Sequence, residues 1–171
     1  MNSHRRLIQK FAWLLAVPML VFVPAFVADA TPAAGVSFMV IGRATVPEFD
    51  FKRKIKELDH WRLRMDAEQP IEVVTVLFTV QPGGHGGWHT HPGPALFTIR
   101  TGTLTMYEGD DPTCTPKVFP AGTGSVEAQT ESHIHILRNE TSGVAETLVT
   151  FLIPVGADLR IDLADPGNCR F

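Results

Sequence analysis

Two histidines one residue apart, His89 and His91, lie in the run Gly83–Gly102, GGHGGWHTHPGPALFTIRTG. Side chains two positions apart on a strand leave the same face, so this spacing sets two imidazoles side by side, as a metal ion requires. Gly83, Gly84, Gly86 and Gly87 let the backbone bend closely around the pair. A second run, Pro120-Ala-Gly122 and then His133-Ile-His135-Ile-Leu-Arg-Asn139, offers His135 as a third imidazole from another strand. Three neutral imidazoles on a rigid frame suit Zn(II), Fe(II), Mn(II), Cu(II) or Ni(II) and leave coordination positions open for water or substrate. The competing reading is a barrel without metal in which the three histidines are remnants. His133 shares a face with His135 and is a candidate fourth ligand, or else a residue at the mouth of the site. His85, in the glycine run, is a weaker candidate, and His60 reads as a surface residue. Trp88 is expected either to flank the entrance or simply to pack, and Asn139 to organise its turn. No Ser/His/Asp set or nucleophilic cysteine is evident, and the glycine run precedes a strand, not the helix a phosphate loop needs.

The elements that must position these residues read as short strands. Val36–Val46 alternates loosely, and Glu48–Leu58 is charged and stays open between a strand edge and a short helix. His60–Met65 alternates with Trp61, Leu63 and Met65 on one face. Ile71–Val80 is rich in β-branched residues and reads as a central strand. The loop Gly83–Pro94 leads to a hairpin, Ala95–Thr101 and Thr103–Glu108, turned at Gly102. Lys117–Phe119, Gly124–Ala128, His133–Arg138, Ala145–Pro154 and Leu159–Leu163 complete the set. Phe97, Ile99, Leu104, Met106 and Leu137 recur at strand spacing and form the expected core or pocket wall. With Gly and Pro between short strands and no convincing helix, the expected architecture is closed and all-β.

The first thirty residues differ from the rest. Arg5, Arg6 and Lys10 precede an almost wholly apolar Phe11–Val27 and then Ala28-Asp29-Ala30, the pattern of a cleavable signal peptide. The apolar run, about 17 residues, is at the lower limit for a span, and Pro18 and Pro24 interrupt it. The expected division is therefore a leader, 1–30, and one domain, 31–171, exported to a periplasm or secreted, with no membrane span after cleavage. Without the leader, 12 Lys+Arg face 17 Asp+Glu, a net charge of −5 that disfavours nucleic acid as a partner. Seven of those cations lie between Arg43 and Arg64 and alternate with acids, a solvated mixed-charge face. Cys114 and Cys169, the only two cysteines, are expected to form one disulfide in an oxidising compartment.

These motifs together resemble the cupin superfamily. Gly83, His89, His91 and Gly102 match G(x)5HxH(x)3–4E(x)6G; Pro120, Gly122, His135 and Asn139 match the fixed points of G(x)5PxG(x)2H(x)3N. The resemblance implies a small jelly-roll β-barrel and one divalent transition metal. Two departures stand out: Ala95 holds the place of the motif's glutamate, and the stretch from Gly122 to His135 is longer than the motif. A missing carboxylate leaves the expected metal more electrophilic and its bound water more acidic. Two functions follow as expectations. One is a metal-dependent enzyme of oxygenase, isomerase or lyase type acting on a small polar molecule. The other is a non-catalytic module that binds or senses a small ligand, and a structural envelope protein is a third, weaker option. A homodimer is among the expected assemblies.

Overall fold

The computed structural model describes residues 30–54, 60–127 and 133–171, and among these it contains strands and turns but no helix. The predicted leader therefore lies outside the described residues except for Ala30, as do Ile55–Asp59 of the charged segment. Strand β4 (Ile71–His85) is the spine. It pairs antiparallel with β1 (Ala34–Val46) along one edge and with β11 (Ala145–Pro154) along the other. Next to β11 come β6 (Ala95–Thr101) and then β9 (Gly124–Glu127). The end of β4 continues past Val80 through the glycines, where His85 pairs with Arg138 of β10 (His135–Arg138). Around β10 a second group assembles: β5 (His89–Thr90) and β12 (Ile161–Asp162) on one side, β7 (Thr103–Glu108) and β8 (Lys117–Pro120) on the other. The two faces close into the expected antiparallel jelly-roll barrel. A separate hairpin, β2 (Phe49–Lys54) with β3 (Arg62–Ala67), carries the mixed charges in solvent.

Alternation decides the inside. Along β11, Ala145, Thr147, Val149, Phe151 and Ile153 are buried while the residues between them are not. They meet Val74, Val76 and Val80 of β4, Phe97 and Ile99 of β6, and Leu104 and Met106 of β7. The tight turn between β6 and β7 needs Gly102: its φ is +73°, and a Cβ there would sit 2.8 Å from the Val144 carbonyl oxygen.

The outside of β7 and β10 is covered too. Trp88, Tyr107, Ile136 and Cys169 form a second cluster, with the Phe171 ring 5.0 Å from Tyr107 and the Arg138 guanidinium 3.8 Å above Phe171. Trp88, 1 % exposed, thus anchors the C-terminal tail and is no entrance residue. The Cys114–Cys169 disulfide, with Cα atoms 5.3 Å apart, pins that tail to the loop after β7.

Candidate metal centre

The pairing of β5 with β10 sets His89 directly opposite His135, and His91 follows one residue beyond β5. Each of the three offers a ring nitrogen within 4.8 Å of the others, and all three are buried. They can bind a metal ion. The backbone fixes which nitrogens would do so. His89 Nδ1 donates to the Gly87 carbonyl at 2.8 Å, and His91 Nδ1 donates to the Leu159 carbonyl at 2.7 Å. A ring nitrogen facing a carbonyl must carry the proton, so in the neutral ring Nε2 keeps its lone pair for the site. Among the described residues, His91 Nε2 and both nitrogens of His135 have no hydrogen-bond partner. A buried polar atom left unpaired costs about 1–3 kcal/mol, so this set fits a bound cation. Burial first, then the neighbouring His135, Arg160 and His91, pushes His89 well below its ordinary value, which favours the neutral form a ligand needs. Gly87 makes the turn into β5: its φ is +72°, and any Cβ would collide with the Thr31 carbonyl oxygen.

A fourth group enters that the sequence reading missed. Glu127 ends β9 directly opposite Ala95 of β6, and both are buried. Its Oε2 lies 3.4 Å from His91 Nε2 and 3.6 Å from His135 Nε2. Burial alone would raise this carboxyl, but the facing His135 and His91 outweigh it and hold it well below the usual carboxylate range. The negative charge expected to be absent with Ala95 is therefore present, delivered from the next strand. The over-long stretch between Gly122 and His135 contains Glu127, the one signal in the sequence that could have pointed to it.

The other histidines stand apart from this trio. The His133 ring is 5.4 Å from that of His135, but it lines a separate polar cleft with Glu108, Asp110 and Lys117. His85 accepts a hydrogen bond from the Gly87 amide at 3.2 Å, which supports the glycine turn, and His60 is exposed. Asn139 holds its turn as expected, donating to the Val80 and Gly143 carbonyls and accepting from Thr141.

A cleft of about 600 Å³, open to solvent, leads to His89, His91 and Glu127. Phe78, Val80, Val149, Phe151 and Leu159 line it, so its walls are apolar rather than suited to the small polar molecule expected. At its rim, Arg160 is paired with Asp162.

A family model described as a cupin domain matches residues 76–151. No curated protein sequence matches the chain. The chain is similar in structure to the polyketide cyclase RemF from Streptomyces resistomycificus, at 16% identity and TM-score 0.50, over 86% of this chain and 90% of that one. It also matches a recombinant oxalate oxidase solved with glycolate, at 23% identity and TM-score 0.40. That match covers 46% of this chain and 41% of the oxidase, less than half of that protein. A predicted oxalate decarboxylase from Thermotoga maritima matches at 15% identity and TM-score 0.40, over 49% of this chain and 81% of that one. At these identities the solved structures speak to the fold alone. The matched residues run from within β4 to within β11 and include His89 of β5 and His91 just beyond it, in a nearly closed antiparallel barrel; over this stretch the chain carries a cupin domain.

Proposed function

We propose that this is an exported cupin protein in which His89, His91 and His135 hold one divalent transition metal, drawn from Fe, Mn, Zn, Cu and Ni. On this reading it is a metal-dependent enzyme of oxygenase, isomerase or lyase type. The observation that carries it is the convergence of three buried imidazoles in which His91 Nε2 and both nitrogens of His135 have no hydrogen-bond partner among the described residues, while Nδ1 of His89 and of His91 is tied to a carbonyl. A metal there would polarise a substrate oxygen or acidify a bound water. The chain's own residues do the rest. Gly87 and Leu159 orient the two imidazoles, and the apolar walls exclude water and receive a small, largely apolar molecule with its polar end toward the histidines.

One observation favours a second reading, a binding or sensing module. Apart from the imidazoles and Glu127, the only charged residue lining the cleft among the described residues is Arg160, which Asp162 already pairs. For assembly, a homodimer is supported by β1, whose Phe38, Met39, Val40 and Ile41 are all exposed along a strand that pairs on one side with β4.

Metal analysis of protein purified from its native compartment tests the reading. We expect about one transition metal per chain, a count that follows from one three-imidazole site. His91→Ala should lose stoichiometric metal while its far-ultraviolet circular dichroism stays that of the folded barrel. Metal-free wild-type protein, or metal retained in His91→Ala, would sink the metal site. A redox metal with turnover favours the oxygenase, whereas ligand binding without turnover favours the sensing module.

A further inference from the structure

We infer that Glu127 is the fourth protein ligand of this centre, standing in for the carboxylate that Ala95 cannot supply, moved across one strand pairing. The inference rests on the reading that the three histidines hold a metal. β6 and β9 run antiparallel with Ala95 opposite Glu127, so the two side chains leave the same face of the sheet. Their Cβ atoms are then about 4.5–5.5 Å apart, a distance that a glutamate side chain can cross. Ala95 is 0% exposed and leaves only a methyl group where its own carboxylate would have started.

The geometry suits a cation between Glu127 and the imidazoles. His91 has its Nδ1 proton on the Leu159 carbonyl, so in the neutral ring Nε2 is an acceptor. It faces a second acceptor, the Glu127 carboxylate, at 3.4 Å, a separation too long for a strong hydrogen bond. No Lys or Arg forms an ion pair with Glu127 among the described residues, and a carboxyl buried to this degree needs a partner at its oxygens. A metal ion held by His91 and His135 Nε2 and Glu127 Oε2 removes both conflicts at once. The rival arrangement puts a proton on His91 and makes a metal-free imidazolium–carboxylate pair; the two make opposite predictions for removal of the carboxylate.

The experiment titrates metal-free protein with Co(II) alone and follows the visible absorption bands, which report coordination number, in three proteins: wild type, Glu127→Gln, and the exchange variant Ala95→Glu/Glu127→Ala. A ligand role predicts that Glu127→Gln binds Co(II) at least about 10–100-fold more weakly, the loss typical of removing only an outer-shell partner, with an altered spectrum. It also predicts that the exchange variant regains affinity and the wild-type band pattern. Unchanged or tighter Co(II) binding in Glu127→Gln overturns the inference and leaves the three-histidine reading standing. Wild-type protein that binds no stoichiometric Co(II) removes the metal reading itself, and this inference with it. If Glu127→Gln fails to fold, the exchange variant decides: folded and loaded, it supports the ligand role; folded and empty, it overturns it.

Discussion

Asn139 and Glu127 are both buried polar residues near the end of a strand, yet only one of them was legible. Asn139 lies at a fixed step from His135, and its work is local: it closes the turn to Gly143 and receives the Thr141 amide and hydroxyl. Its one distant bond, to the Val80 carbonyl at 2.9 Å, ties that turn to β4. Asn139→Ala would remove this bond and those that close the turn, and we expect a loss of about 0.5–1.5 kcal/mol for each bond in urea unfolding. An unchanged midpoint would mean that the amide contributes nothing to the turn. Glu127 owes its role to its register against Ala95, a partner 32 positions earlier. No local pattern encodes that register, and a lone acid in a short strand reads as solvent-facing until the pairing is known.

Strands were the more legible level, because inside-outside alternation is written into each one. Ala145–Pro154 has the predicted bounds, and Ile71–Val80 was recognised as central. The difference lies at the glycine run, expected as a loop but built as the end of β4, which carries the first group of strands into the second. Glycine has weak strand preference, so the pairing of His85 with Arg138 and Ala34, and the backbone bonds of Gly83, Gly84 and Gly86 to Leu137 and Asn139, keep the segment extended. The place of Trp88 stayed open between entrance and packing for a related reason: the outer face of β10 is covered by a tail with no periodic signal, fastened by Cys169. The disulfide closes a loop across a sequence separation of 55 residues. Replacing both cysteines with serine should cost about 2–4 kcal/mol in denaturant unfolding, and should loosen the packing of Trp88 against Phe171. Unaltered stability together with unaltered tryptophan fluorescence would show that the tail is held without it.

At the scale of the whole molecule, the first described residues already belong to the barrel. Ala30 bridges to Ala164, and the Thr31 amide donates to the Leu163 carbonyl at 2.9 Å. Thr31 remains a donor as a free ammonium group, so cleavage after Ala30 would preserve this contact. The expected mature N-terminus is Thr31, to be read by N-terminal sequencing of protein recovered from the envelope or medium; a chain that still begins at Met1 would mean an anchor instead. The C-terminal stretch has a second consequence, one of timing. His91 is oriented by the carbonyl of Leu159, and Leu163 donates to the carbonyl of Trp88, the residue before His89. Synthesis delivers residues 89 and 91 long before 159 and 163. The histidines are thus made early but aimed late, once residues 159 and 163 have emerged. An ion taken up by the proposed centre would then be chosen from whatever the solution offers where folding finishes, not where translation begins.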